Sequence, residues 1–133
     1  MGICLRNKEY SMDMGYGSFG NLRKKIALLL NKDFGENYLL LSQCRTIDDY
    51  SKNDDRANRL IKEHNLDTDI IDFLYQPDND GKISYKTCKK IYDVVKDYDD
   101  NCMYGYVHSN HSFSYFKDML KNCYSKHRNL YWH

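Results

Sequence analysis

The chain has 133 residues, with 20 lysines and arginines against 19 aspartates and glutamates, a formal net charge of +1, one proline and 13 tyrosines. That length suits a single domain spanning 1–133, and charges of both signs are interspersed, which excludes the basic arm of a nucleic-acid binder or of a membrane-surface protein. The longest apolar run, Ile26 to Leu30, falls far short of the roughly 20 residues a membrane span needs, and the N-terminus carries no apolar signal segment, so a cytoplasmic protein with no membrane and no nucleic-acid partner is expected.

Five cysteines (Cys4, Cys44, Cys88, Cys102 and Cys123) form an odd set without a CxxC pair, which argues against a disulfide framework and against the common zinc spacings. Reduced, partly buried thiols are expected. Met1-Gly2-Ile3-Cys4 is a candidate acylation start, but Arg6 stands where myristoylation wants Ser or Thr.

The segment Ser11 to Met14 does not read as a strand. Ser18 is expected to cap a helix running to about Asn31, because Phe19, Leu22, Ile26, Leu29 and Leu30 recur on one face. After a polar opening from Asp33 to Glu36, the run Tyr38 to Leu41 is compatible with a buried strand or a helical turn. A further helix is expected from Asp54, with Ala57, Leu60 and Ile61 inward, ending near His64-Asn65. Asp67 then caps a short helix to Tyr75, and Ser84 opens another with Cys88, Ile91, Tyr92 and Val95 inward. The last helix is expected to begin near Ser112 with Phe113, Phe116, Met119, Leu120 and Cys123 inward, and Leu130 to Trp132 is apolar enough to dock as a strand. The resulting fold class is mainly α, a compact helical domain with one or two short strands and an EF-hand-like helix-loop-helix.

That helix-loop-helix centres on Gln76 to Thr87. Calcium loops place oxygen ligands at positions 1, 3, 5, 7, 9 and 12 and glycine at 6. With Gly81 at position 6, Asp78 falls at 3, Asp80 at 5 and Ser84 at 9, but Gln76 at 1 and Thr87 at 12 lack the two end carboxylates. Asp78 and Asp80 are therefore weak metal candidates, no metal is assigned, no cofactor is expected, and the loop reads first as a turn that caps the following helix.

Gly15-Tyr16-Gly17-Ser18-Phe19-Gly20 matches GxGxxG at a helix start. A dinucleotide fold is not indicated, since no preceding strand and no acidic partner about 20 residues on can be read, and the kinase-like alternative lacks HRD and DFG segments. What remains is a phosphate-binding helix start, with Tyr16 and Phe19 as stacking faces, Ser18 at the turn, and Arg23 and Lys24 as phosphate partners. Read as structure alone, Phe19 is core and the basic pair a solvated face. His108 and His111 lie in a Ser- and Asn-rich loop and are the other candidate ligand-binding residues. No catalytic residues are assigned.

Tyr16, Ser18, Phe19 and Arg23, then Asp78, Asp80, Gly81 and Ile83, then Phe113 and Phe116 resemble the pattern of an uncharacterised family of small phage and prophage proteins. The chain departs from it at Gln76-Pro77, where the family tends to His-Ser, and at Thr87, where an acidic residue is common. The resemblance implies a non-enzymatic, phage-encoded binding protein in the host cytoplasm that antagonises host defence, either by sequestering a nucleotide second messenger or by gripping a host protein, with self-association a further expectation. Two alternatives stay open: an EF-hand-like protein with a structural metal, and a small enzyme using His108 and His111.

Overall fold

The computed structural model describes residues 2–98 and 113–133. Along the chain it runs β1 (Ile3–Arg6), β2 (Ser11–Met14), α1 (Tyr16–Leu30), α2 (Lys32–Leu41), α3 (Ile47–Glu63), α4 (Thr68–Tyr75), β3 (Gly81–Ile83), α5 (Tyr85–Val95), α6 (Phe113–Lys126) and β4 (Leu130–Trp132). The fold is mainly helical, an α+β domain with the expected EF-hand-like unit, and its strands assemble into one four-stranded sheet of order β2-β1-β4-β3. No described helix is long and apolar enough to cross a membrane.

All three strand pairings are antiparallel. The expectation that Ser11 to Met14 is not a strand is corrected here: the segment is β2, in register with Ile3–Arg6. Its alternation is regular, Met12 and Met14 pointing into the core and Ser11 and Asp13 outward, and pairing with β1 overrides the poor strand propensity of Ser and Asp. The C-terminal strand β4 sits between β1 and β3, as its apolar residues suggest.

The cap of α1 also differs from expectation. Ser18 lies inside the helix and is buried, while Gly15 holds the N-cap position with no side-chain cap, so the first-turn N–H groups receive no side-chain acceptor. Phe19, Leu22, Ile26 and Ala27 are fully buried along one stripe. One residue, Asn31, both ends α1 and caps α2, its Oδ1 accepting from the Phe34 amide at 2.9 Å. Tyr38 to Leu41 is helical, the end of α2. Gly35 makes this corner feasible, since a Cβ there would lie 2.5 Å from the Leu28 Cα.

The third helix starts seven residues before the expected Asp54, at Ile47, capped by Thr46 with Asp48 and Asp49 in its first turn. Only Ala57 of this helix is buried, which is why apolar periodicity did not reveal its first two turns. The caps of α4 and α5 are the expected ones: Asp67 accepts from Asp69 and Ile70 amides, and Ser84 from Thr87. Phe113, Phe116, Met119, Leu120 and Cys123 of α6 are all fully buried. Cys4, Cys44, Cys88 and Cys123 are free thiols, the last two buried.

Candidate functional site

The EF-hand-like loop is closed by side chains. At position 1, Gln76 donates from Nε2 to the Lys82 carbonyl at 2.9 Å and accepts the Lys82 amide on Oε1 at 2.9 Å. Lys82 is position 7, whose carbonyl is a metal ligand in calcium loops, so the Gln76 amide satisfies the oxygen that a cation would otherwise hold. Trp132 completes the clamp, donating from Nε1 to the Pro77 carbonyl at 3.0 Å. Its indole lies over Gly81, where a Cβ would come within 2.1 Å of the ring. Asp78 and Asp80 are exposed, and no cluster of three or more His, Cys, Asp or Glu suited to a metal occurs among the described residues.

Next to this clamp a cavity of about 450 Å³ opens between the N-terminal half of α1, the end of α2, the start of α3 and the end of α4. It is lined by Tyr16, Gly17, Phe19, Gly20, Arg23 and Lys24 from α1, and by Tyr38, Tyr50, Tyr75 and Asp78 from elsewhere. Its volume lies within the range of small-molecule sites, roughly 300–1,000 Å³. Tyr16, Tyr50 and Tyr75 are 41%, 48% and 41% exposed, so three aromatic rings that could have been covered face the cavity and solvent instead. Tyr38 and Tyr75 meet edge to face at 5.6 Å. Burial pushes the Tyr75 hydroxyl's pKa well up, with Tyr38, Asp54 and Tyr50 adding to the shift, so this phenol stays neutral.

Arg23 is the singular residue of the site. It is only 6% exposed. Its guanidinium carbon stands 4.2 Å from the centre of the Phe19 ring, with Phe73 and Trp132 at 5.4 and 5.5 Å. Nη1 donates to the Gln76 carbonyl at 2.7 Å and to Leu74 at 3.4 Å, placing a cation on the carbonyls that end α4. The Leu74 carbonyl also accepts from the Tyr38 hydroxyl at 2.8 Å. Nε and Nη2 are sealed from solvent and make no well-aligned hydrogen bond, while the Tyr38 hydroxyl interacts with the guanidinium. Burial pulls the Arg23 pKa below its ordinary value, and Tyr38 and Asp78 partly oppose that.

The structure thus brings together Tyr16, Phe19, Arg23 and Lys24 as the helix spacing suggests. Phe19 is fully buried, and its ring face is taken by Arg23. Ser18 is buried and does not line the cavity. The GxGxxG segment does follow a strand, β2, but that strand is an antiparallel edge rather than part of a βαβ unit, and all of the segment after Gly15 is helical, so neither the dinucleotide fold nor its glycine-rich phosphate turn is formed. His108 and His111 lie outside the described residues. Sequence reasoning missed Tyr38, Tyr50 and Tyr75, whose only prior sign was an unusual number of tyrosines.

Fold and cavity define a mainly helical α+β domain in which a side-chain-closed EF-hand-like loop backs a tyrosine-walled cavity. No protein-family model, no curated protein and no solved structure matches the chain.

Proposed function

We propose that this is a non-enzymatic, phage-encoded binding protein of the host cytoplasm that antagonises host defence by sequestering a nucleotide signal. The observation that carries the reading is the cavity's wall, where the part-exposed rings of Tyr16, Tyr50 and Tyr75 stand beside the cations Arg23 and Lys24. Two cations at one wall suit an anionic ligand. The exposed faces of Tyr16, Tyr50 and Tyr75 suit a base, and Lys24 adds a second cation. Among the described lining residues there is one carboxylate, Asp78, and no histidine or cysteine, which favours holding a ligand over transforming it. The phage origin and the target rest on the family resemblance.

A second reading, grip on a host protein, is favoured by Ile47 and Leu40, which are 85% and 43% exposed. Ile47 lies three residues before Tyr50 on α3 and so shares its face. These exposed apolar side chains also suit self-association. A thermal-shift screen against cyclic and linear nucleotides tests the first reading: stabilisation by at least one, lost in Tyr50→Ala, supports it. Silence from all of them, with capture of one host protein that Ile47→Asp abolishes, would replace it with the second.

A further inference from the structure

We propose that copies of this chain join head to tail, the Ile47-Asp48-Asp49 start of α3 on one copy seating in a lysine-rimmed tyrosine groove formed by α5 and α6 of the next. The contact needs no ligand, lies apart from the nucleotide reading, and gives self-association two named surfaces.

The groove has a volume of about 320 Å³ and is lined by Tyr85, Lys86, Lys89 and Lys90 from α5 and by Tyr124 from α6. Both rings are held in place. Tyr85 stacks on His127 at 4.4 Å with 14° between the planes, and Tyr124 meets Tyr92 at 5.4 Å. The Lys89 ammonium lies over the Tyr124 ring at 4.9 Å. Lysine stems are aliphatic up to the charged head, so the groove offers an apolar floor inside a cationic rim. Lys89 and Lys90 hold partly exposed bridges to Asp93 and to Asp67 and Asp69, and such pairs are weak in water. Lys86 is exposed and has no ion partner among the described residues. It stands in the first turn of α5, which carries no acidic side chain there, so the positive helix end and this lysine are both left for an anion from outside.

The complementary surface is on the same molecule. Ile47 is the first residue of α3 and is 85% exposed, more than any other large apolar side chain among the described residues. Asp48 and Asp49 follow it and are exposed as well, so an aliphatic anchor carries two carboxylates beside it. Charge divides along the chain in the same sense. From Ile47 to Asp55 there are four aspartates and one lysine, whereas α5 and α6 each carry three lysines and one aspartate. With a formal net charge of only +1, two copies repel little as wholes while their unlike surfaces attract.

Helix α3 packs on α2 and supplies no residue to the groove, so the chain does not fill the groove with its own Ile47. Because the two surfaces differ, the contact is heterologous: the end copies keep one free groove and one free α3 start, and assembly closes into a ring or grows as a filament. With one anchor and a charged rim, each contact is weak and salt-sensitive, since the screening length shrinks from about 10 Å at about 0.1 M salt to about 3 Å at about 1 M.

The test is sedimentation of the purified chain, with no nucleotide or host factor present, from about 10 μM to about 1 mM. The average mass should rise with concentration and fall back in about 1 M salt. Ile47→Asp and Lys86→Glu, both at exposed helix starts that favour an acidic residue, should each sediment as monomers with the parent's circular dichroism. Mixed in equal amounts they should form a dimer and nothing larger, because one variant keeps a working groove and the other a working α3 start. Association that survives Lys86→Glu overturns the inference in favour of a symmetric pair through Ile47 and its neighbours. Two monomeric, folded variants that fail to recombine overturn it as well. Wild-type protein that stays monomeric throughout also overturns it, and binding of an oligoaspartate peptide would then give the groove to a different, acidic partner. None of these outcomes bears on nucleotide binding, which is read separately by thermal shift.

Discussion

Gly81 and Trp132 are matched as hole and plug: the indole occupies the place where any side chain at position 81 would begin, and a Cβ there would lie 2.1 Å from the ring. The glycine that calcium loops use for a sharp turn therefore serves here as a seat for the C-terminal strand. Gly81→Ala must displace a fully buried tryptophan packed on Phe19 and Phe73 at 5.5 and 5.4 Å. Overpacking of this kind costs about 1–3 kcal/mol, so a Tm lower by roughly 3–12 °C is expected. An unchanged melting curve would show that the indole is not seated as described.

The Gln76 bridge predicts how the loop responds to calcium. Titration of the wild-type protein with micromolar calcium should give no heat, because the position 1 amide already engages the Lys82 carbonyl and both end carboxylates are missing. The double variant Gln76→Asp/Thr87→Glu restores them beside Asp78 and Asp80 and should bind the ion. Binding by the wild type, lost in Asp80→Ala, would instead support a structural metal.

Arg23 separates stability from binding. Replacing it with methionine removes two unpaired buried donors, each costing about 1–3 kcal/mol, together with two carbonyl bonds and a ring contact of similar total size. The Leu74 carbonyl keeps the Tyr38 hydroxyl. Arg23→Met is therefore expected to melt within about 1 kcal/mol of the parent while losing nucleotide affinity. A loss of stability far beyond that would make Arg23 a strut of the α4 end and not a receptor.

Acid should weaken the tie between the β1–β2 turn and α6. Lys126, Arg128 and Asn122 surround Glu9 and lower its pKa from 4.5 to about 2. A depressed carboxylate stabilises the fold above its unfolded pKa, and that contribution is lost as pH falls from about 4.5 through about 2. Glu9→Gln should melt lower than the parent at pH 7 and converge with it near pH 2, measured by Tm against pH. Parallel curves across that window would rule the pairing out.

Much of this fold is legible in the residues, and the gaps have physical causes. The stripes of α1, α5 and α6 are apolar at helical spacing, and Asp67 and Ser84 cap the helices they precede, because these signals are local. Strand β2 was missed although Met12 and Met14 alternate correctly, since two methionines, a serine and an aspartate become a strand only by pairing with Ile3–Arg6. The opening of α3 hides in a polar run whose one clear sign, Thr46 capping Asp49, precedes no apolar stripe. At the site, Tyr16, Arg23 and Lys24 follow from one helix. Tyr38, Tyr50 and Tyr75 come from three others, and no spacing within the chain announces that they meet.

The walls of the cavity are unequally anchored. Helices α1 and α2 share Asn31 as their joint cap and press together at Gly35, so they form one stiff jaw. A further wall is α3, tied to α2 by the Asn37 side chain donating to the Asn53 carbonyl at 2.8 Å, which buries Ala57 alone and carries Tyr50 near its start. Amide hydrogen exchange should then be fastest in α3 among the described helices, since sparse burial leaves a segment open to local unfolding. A captured ligand should slow exchange around Tyr50 before it changes α1 at all, which would make the least buried helix the one that reports occupancy.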